Sequence, residues 1–268
     1  MINFRMIDEE YGIMEEIGQG QFGKVYKGQN MRNGEIVAIK EVKMERYMQD
    51  SVLKSCINNE IYVLSQISHK NIIRLMKEIH TELYLYIVYE FCNEGNLDDY
   101  LGKKKKLSED EAIEIMKGLL EGFKLLKKHY IIHRDIKPSN ILLKDGTVKI
   151  ADFGLCRTYL GKELEKEKGT LIGTPIYMAP ELITGQPLNE KTDIYSLGAV
   201  FYELMFGHCP YEDSSLIELV EKQKKWPLVI PLEENPIKEK TQAILRKMLS
   251  INPDFRASWN DLFDFFDN

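Results

Sequence analysis

The run His133-Arg134-Asp135-Ile136-Lys137-Pro138-Ser139-Asn140 sets an acid five residues before an amide, with a lysine between them. Two short apolar runs follow, Ile141-Leu142-Leu143 and Val148-Lys149-Ile150, hinged on the turn pair Asp145-Gly146. Then come Asp152-Phe153-Gly154 and, further on, Ala179-Pro180-Glu181. Taken singly, each triplet has a bland explanation, a surface turn or a strand end, because short motifs recur by chance. In this order, with Asn140 between the two acids, they suit the transfer of a phosphoryl group held by a divalent metal. One acid takes a hydroxyl proton, the second acid and the amide hold Mg²⁺, and the lysine balances phosphate charge.

At these residues the sequence resembles the eukaryotic protein kinases of the serine/threonine type, and the resemblance covers nearly the whole chain. It implies an α+β, bilobal fold filling residues 1–268. A small N-lobe (1–91) would carry an antiparallel sheet and one main helix, and a larger, mainly helical C-lobe (92–268) would follow. It also implies an enzyme that uses ATP and Mg²⁺, with Asp135 as catalytic base, Lys137 beside it, and Asn140 and Asp152 on the metal. His133 would be structural, stacked with Leu64, Leu75 and Phe153 in a spine between the lobes.

Upstream, Gly18-Gln19-Gly20-Gln21-Phe22-Gly23 is a weak signal alone, since a dinucleotide-binding turn has the same spacing. Context separates the two. A dinucleotide turn opens a helix, whereas Tyr11 to Ile17 and Val25-Tyr26-Lys27-Gly28 both read as strand. Asn33-Gly34 then turns into a third strand, Glu35 to Lys43. By pattern alone Lys40 in Val37-Ala38-Ile39-Lys40 points to solvent. Glu60, on a helix predicted over Val52 to Ile67, is likewise an ordinary exposed acid. The resemblance instead pairs them and lays Gly18, Gln19, Gly20 and Gly23 over the triphosphate. It puts Val25, Ala38 and Leu142 around the adenine, the Glu90 carbonyl and Cys92 amide at its edge, and Tyr89 behind it. Strands over Ile72 to Leu75 and Leu83 to Val88 complete the expected sheet.

Downstream, a short helix is expected over Asn96 to Leu101. Ser108-Glu109-Asp110-Glu111 reads as a capping box opening a helix that ends near His129. Thr192 to Phe206 is apolar almost all round and so predicts a buried helix. Trp259 to Phe266 predicts a last, amphipathic one. Arg256 should pair with Glu181 in the interior.

A net charge of −6 argues against general affinity for nucleic acid. The basic run Lys103 to Lys106 reads as a solvated loop, since Glu109, Asp110 and Glu111 follow it. No apolar run is long enough to span a membrane. Four cysteines without CxxC spacing, and an N-terminus without a signal-peptide core, point to a cytoplasmic protein with reduced thiols.

Lys137 and the Gly173-to-Glu181 segment resemble serine/threonine rather than tyrosine kinases. The hinge stretch Glu90 to Leu101 is most similar to autophagy-initiating or related calmodulin-dependent-type kinases. An inactive scaffolding relative would lack one of Lys40, Asp135, Asn140 and Asp152, all present here. A small-molecule phosphotransferase would lack the long segment before Glu181. The resemblance therefore implies a protein substrate as partner. Leu155 resembles the bulky residue that accompanies serine acceptors, and Asn96 and Ser139 replace the glutamates of arginine-demanding relatives. Arg157 to Thr170 is a polar, charged stretch, and by the resemblance Arg134 and Arg157 point towards it, with Thr170 at the position where related kinases carry an activating phosphate and Thr158 as a weaker alternative. That phosphate would come from an upstream kinase or from autophosphorylation in trans.

Overall fold

The computed structural model describes residues 5–20, 23–158, 174–187, 189–213, 215–225 and 227–267. Its first part is a sheet built from a meander. β1 (Arg5–Met6), β2 (Tyr11–Gly20), β3 (Gly23–Asn30) and β4 (Ile36–Lys43) pair in sequence order, each antiparallel to the last. The short helices and strands that follow are α1 (Met44–Gln49), α2 (Ser51–Gln66), β5 (Leu75–His80) and β6 (Tyr84–Glu90). β6 enters the sheet between β4 and β5, giving the order β1-β2-β3-β4-β6-β5.

Successive strand residues face opposite sides, and this decides where Lys40 goes. Val37 and Ile39 sink into a small outer core with Tyr11, Ile13, Tyr86 and Val88. Ala38 and Lys40 must then face the other side, towards α2 and the second lobe. One glycine of the fingerprint is dictated by sheet packing, because a Cβ on Gly23 would lie 2.1 Å from the Glu41 carbonyl oxygen.

α2 begins one residue before the position expected from the sequence, because Asp50 caps it, accepting from the amides of Val52 (3.0 Å) and Leu53 (2.9 Å). Helix α1 was not expected; it fills the link between β4 and that cap. The strand expected over Ile72 to Leu75 is displaced. Ile72 makes only a lone bridge to Ile150, and the Ile73 amide donates to the Ile150 carbonyl at 2.9 Å. These apolar residues stitch the sheet lobe to the hairpin that turns at Asp145-Gly146, and the strand proper starts at Leu75.

The second part holds α3 (Leu97–Lys104), α4 (Glu109–Lys128), β7 (Ile131–Ile132), β8 (Ile141–Lys144), β9 (Thr147–Ile150) and β10 (Arg157–Thr158). After it come α5 (Pro180–Ile183), α6 (Thr192–Phe206), α7 (Leu216–Lys225), α8 (Glu239–Met248) and α9 (Trp259–Asp267). The Ser108–Glu111 capping box is formed at the start of α4. Helix α3 is longer than expected. It runs through Lys103 and Lys104, which stand in its last turn where cations meet the negative end of the helix dipole, so half of the supposed basic loop is helix. Helix α6 occupies the predicted residues and buries fourteen of its fifteen side chains, so the rest of the lobe assembles around it. β8 and β9 form the predicted hairpin, with Asp145 (φ 49°) and Gly146 (φ 71°) both left-handed, as a tight two-residue turn requires.

Candidate active site

Between the sheet and the helical lobe lies a cavity of about 380 Å³. Ten of the residues singled out in the sequence line it: Val25, Ala38, Lys40, Glu60, Tyr89, Glu90, Cys92, Asn96, Leu142 and Asp152. Tyr89 lines it with its hydroxyl buried near Glu60. Burial raises the pKa of that hydroxyl well above the ordinary tyrosine value. Burial likewise pushes the Cys92 thiol up to about 12, so at neutral pH it is an inert wall of the cavity.

Lys40 Nζ and Glu60 Oε2 meet at 2.8 Å, closing the bond between β4 and α2. Burial works against the charge on Lys40, but Glu60 and then Asp152 more than offset it, and its pKa is raised. Gly18, Gln19 and Gly20 are not part of the cavity wall. They lie at the exposed end of β2, where Gly18 has open space around it and Gly20 only the Gly23 carbonyl at 3.9 Å, so backbone there is free to approach a ligand.

A second cluster lies between β7 and β8. Lys137 Nζ stands 2.9 Å from Asp135 Oδ2. The Asn140 amide nitrogen donates to the Asp135 carbonyl (2.9 Å) and to its Oδ2 (2.8 Å). With that nitrogen spent, the Asn140 oxygen is the group left to face a cation. The Ala151 amide donates to the Asn140 carbonyl at 2.9 Å, which ties this cluster to the residue before Asp152. Asn140 and Asp152 together supply hard oxygen donors of the kind Mg²⁺ takes alongside phosphate and water. Among the described residues no three His, Cys, Asp or Glu side chains gather as a metal cage.

The two clusters are held by backbone that is unusual at two points. Arg134 (φ 72°) and Asp152 (φ 65°) both adopt the left-handed region, which costs a non-glycine residue about 1–3 kcal/mol. At Arg134 the compensation comes from Asp193 in the first turn of α6, whose carboxylate accepts from the amides of His133 (2.7 Å) and Arg134 (2.8 Å). His133 is fully buried. Its Nε2 meets the Ala151 carbonyl at 3.1 Å and its Nδ1 the Asp135 amide at 3.3 Å, an arrangement satisfied by the tautomer protonated at Nε2. The ring stands edge-on to Phe153, centroids 4.8 Å apart, and Leu64 and Leu75 join the same core. Arg256 and Glu181 form the expected interior pair, with two bonds of 2.6 and 2.9 Å.

Two supporting groups were missed in the sequence. Glu90 was singled out for its backbone, but its side chain is buried and paired with Lys144 and Lys149, each at 2.9 Å, clamping the hinge onto the hairpin. Asp193 was read only as the opening of a buried helix. A carboxylate in so apolar a helix must be met by donors, and that was the available signal. Thr170 lies outside the described residues. Thr158 falls on β10, which pairs with β7 so that Arg157 opposes Ile132, two residues from Arg134.

Residues 11–265 match the family described as the protein kinase domain. The chain is 34% identical over 263 residues to the serine/threonine-protein kinase atg1 of Dictyostelium discoideum, covering 95% of this chain and 38% of that protein. It is 34% identical over 259 residues to the serine/threonine-protein kinase ATG1b of Arabidopsis thaliana, covering 95% and 36%. With the Aurora kinase of Schizosaccharomyces pombe it shares 34% over 250 residues, covering 92% and 68%. The chain thus spans little more than a third of the length of the first two relatives. No helix among the described residues is long and apolar enough to cross a membrane. With the motifs, the two-lobed fold and the match all falling on the same residues, the chain belongs to the protein kinase domain family.

Proposed function

We propose that this chain transfers the γ-phosphoryl group of ATP to a serine hydroxyl of a protein substrate in the cytoplasm, with its lobes dividing after Phe91. The observation that carries this is that Lys40, Glu60 and Asp152 line a cavity of about 380 Å³, while the Ala151 amide, beside Asp152, bonds to the Asn140 carbonyl of the Asp135–Lys137–Asn140 cluster at 2.9 Å. Val25, Ala38 and Leu142 flank the adenine, whose edge meets the Glu90 carbonyl and Cys92 amide. Gly18, Gln19, Gly20 and Gly23 cover the phosphates, and Lys40, steadied by Glu60, holds them. Asp135 accepts the proton of the substrate hydroxyl as its oxygen bonds to the γ-phosphorus and the bond from that phosphorus to the bridging β-oxygen breaks, releasing ADP. Lys137 offsets charge on the moving phosphoryl group. Asn140 and Asp152 would hold Mg²⁺, which when bound neutralises charge on the phosphate oxygens.

Serine is the acceptor we favour, because Leu155 follows the metal acid where a bulky side chain leaves less room for a threonine methyl. Asn96 spends its oxygen on the Asp99 amide at 2.8 Å as the cap of α3, and Ser139 carries no charge, so neither supplies a carboxylate for a substrate arginine. Activation is assigned to phosphate on Thr170, with Arg157 on β10 and Arg134, two residues beyond the β7 residue that Arg157 opposes, as its proposed partners. A peptide array with Mg-ATP tests the reaction and acceptor together. Serine peptides should react fastest with or without arginine, and a win for threonine or for arginine-containing peptides alone would overturn the acceptor assignment. Mass spectrometry of active protein and the activity of Thr170→Ala test the switch, which falls if unphosphorylated protein is fully active. Adding wild-type protein to Asp135→Asn separates autophosphorylation in trans from an upstream kinase.

A further inference from the structure

Asn59 is the residue before Glu60 on α2, and it faces a different target. Its side-chain nitrogen lies 3.1 Å from the Phe153 carbonyl, 3.3 Å from that of Gly154 and 2.9 Å from that of Cys156. The Cys156 Sγ lies 3.2 Å away as a fourth neighbour. An amide nitrogen has two hydrogens, so the four acceptors share them and the turn is drawn around one point. The opposite amide orientation would set its oxygen against three carbonyl oxygens, which fixes the assignment. The Cys156 amide closes the same turn by donating to the Phe153 carbonyl at 3.3 Å. One helical turn earlier, Cys56 packs on Gly154, where an added Cβ would come within 3.4 Å of the Cys56 Cβ. Two successive turns of α2 therefore seat against residues 153–156, immediately after Asp152.

We propose that Asn59 is a positioning residue that couples the Lys40–Glu60 pair to the metal acid Asp152, an inference that rests on the phosphoryl-transfer function above. Glu60 and Asn59 leave the helix at adjacent positions, one towards β4 and the other towards the turn after Asp152. A rotation of α2 that parts Glu60 from Lys40 also pulls the amide from the turn, so both groups are in place together or displaced together. Asp152 needs this support because its left-handed backbone is strained and the turn beyond it contains a glycine. Its effect on the metal passes through backbone carbonyls, and Asn59 itself touches neither metal nor substrate.

The test uses Asn59→Asp, which keeps the shape but has no donor, and Asn59→Leu, which removes polarity altogether. Three quantities are measured: the Mg²⁺ concentration for half-maximal phosphate transfer to a serine peptide, adenosine binding without Mg²⁺, and hydrogen exchange over residues 153–156. Groups supporting a metal ligand typically change metal affinity or activity by about 10- to 100-fold. Both variants should need about tenfold more Mg²⁺, exchange faster at the Cys156 amide, and bind adenosine as wild type does. Asn59→Gln, which restores a donor, should recover part of the Mg²⁺ affinity. Wild-type Mg²⁺ dependence and exchange in both variants would overturn the proposal, and so would an equal loss of adenosine binding, which marks general damage to the fold. If the wild-type chain transfers no phosphate, the proposed function falls, and the exchange measurement still decides whether Asn59 holds the turn.

Discussion

The two charged clusters of the cleft are built in opposite ways. Asp135, Lys137 and Asn140 fall within six consecutive residues, and their contacts are made inside one turn. That turn is anchored by Asp193 to α6, the most buried element of the lobe. Lys40 and Glu60 are twenty residues apart on a strand and a helix that pack from different directions, and a single 2.8 Å contact joins them. The first cluster is present whenever its lobe is folded. The second exists only while α2 sits in one position, so it can be made and broken without unfolding either lobe.

The largest effect should come from breaking the local cluster chemically without disturbing its frame. Asp135→Asn removes the proton acceptor, and kcat should fall by about 10²- to 10⁴-fold with ATP binding nearly unchanged. Steady-state turnover beside nucleotide titration checks this, and wild-type turnover would overturn the role given to Asp135. Next is the anchor. Asp193→Ala leaves two buried amides without an acceptor, at about 1–3 kcal/mol each, and frees the strained backbone at Arg134. A large drop in melting temperature together with lost turnover is expected; a stable, active variant would show that the turn holds itself.

The long-range pair should respond more mildly. Glu60→Gln keeps shape but removes charge, and a hydrogen bond between charged groups is worth about 1.5–3 kcal/mol, so activity should fall about 10- to 100-fold. The melting temperature should fall by less than in Asp193→Ala. Equal destabilisation by the two substitutions would erase the distinction between a permanent and a conditional cluster.

The smallest effect tests the clamp that joins the lobes. Burial pushes the Glu90 carboxyl up, but hydrogen bonds from Lys144 and Lys149 outweigh it and hold its pKa below the ordinary 4.5. A depressed carboxyl stabilises the folded state fully above its unfolded value and loses that contribution as pH falls through the folded value. Thermal stability should therefore decline as pH falls below about 4.5, and Glu90→Gln should flatten that decline. An identical acid profile in both proteins would remove Glu90 from the account.

Sequence alone carried the family of this protein, its two-lobed fold and much of its secondary structure. Asp135, Asn140 and the Asp145-Gly146 hairpin were legible because their partners are near neighbours and their conformations demand particular residues. The cap at Ser108 and the buried helix Thr192 to Phe206 were legible because capping and apolar periodicity are local properties of the chain. Tertiary structure alone decided that Ile72 and Ile73 bond to the catalytic hairpin rather than to the sheet, and that Asp193 and the Glu90 side chain brace the cleft. It alone brought Asn59 to the turn after Asp152. These contacts join residues 54 to 97 positions apart; at Asp193 and Asn59 one partner is backbone and at Ile73 both are, and backbone is something every residue possesses. A side chain that pairs with a distant peptide group leaves no pattern at the other end, so only the folded chain reveals it.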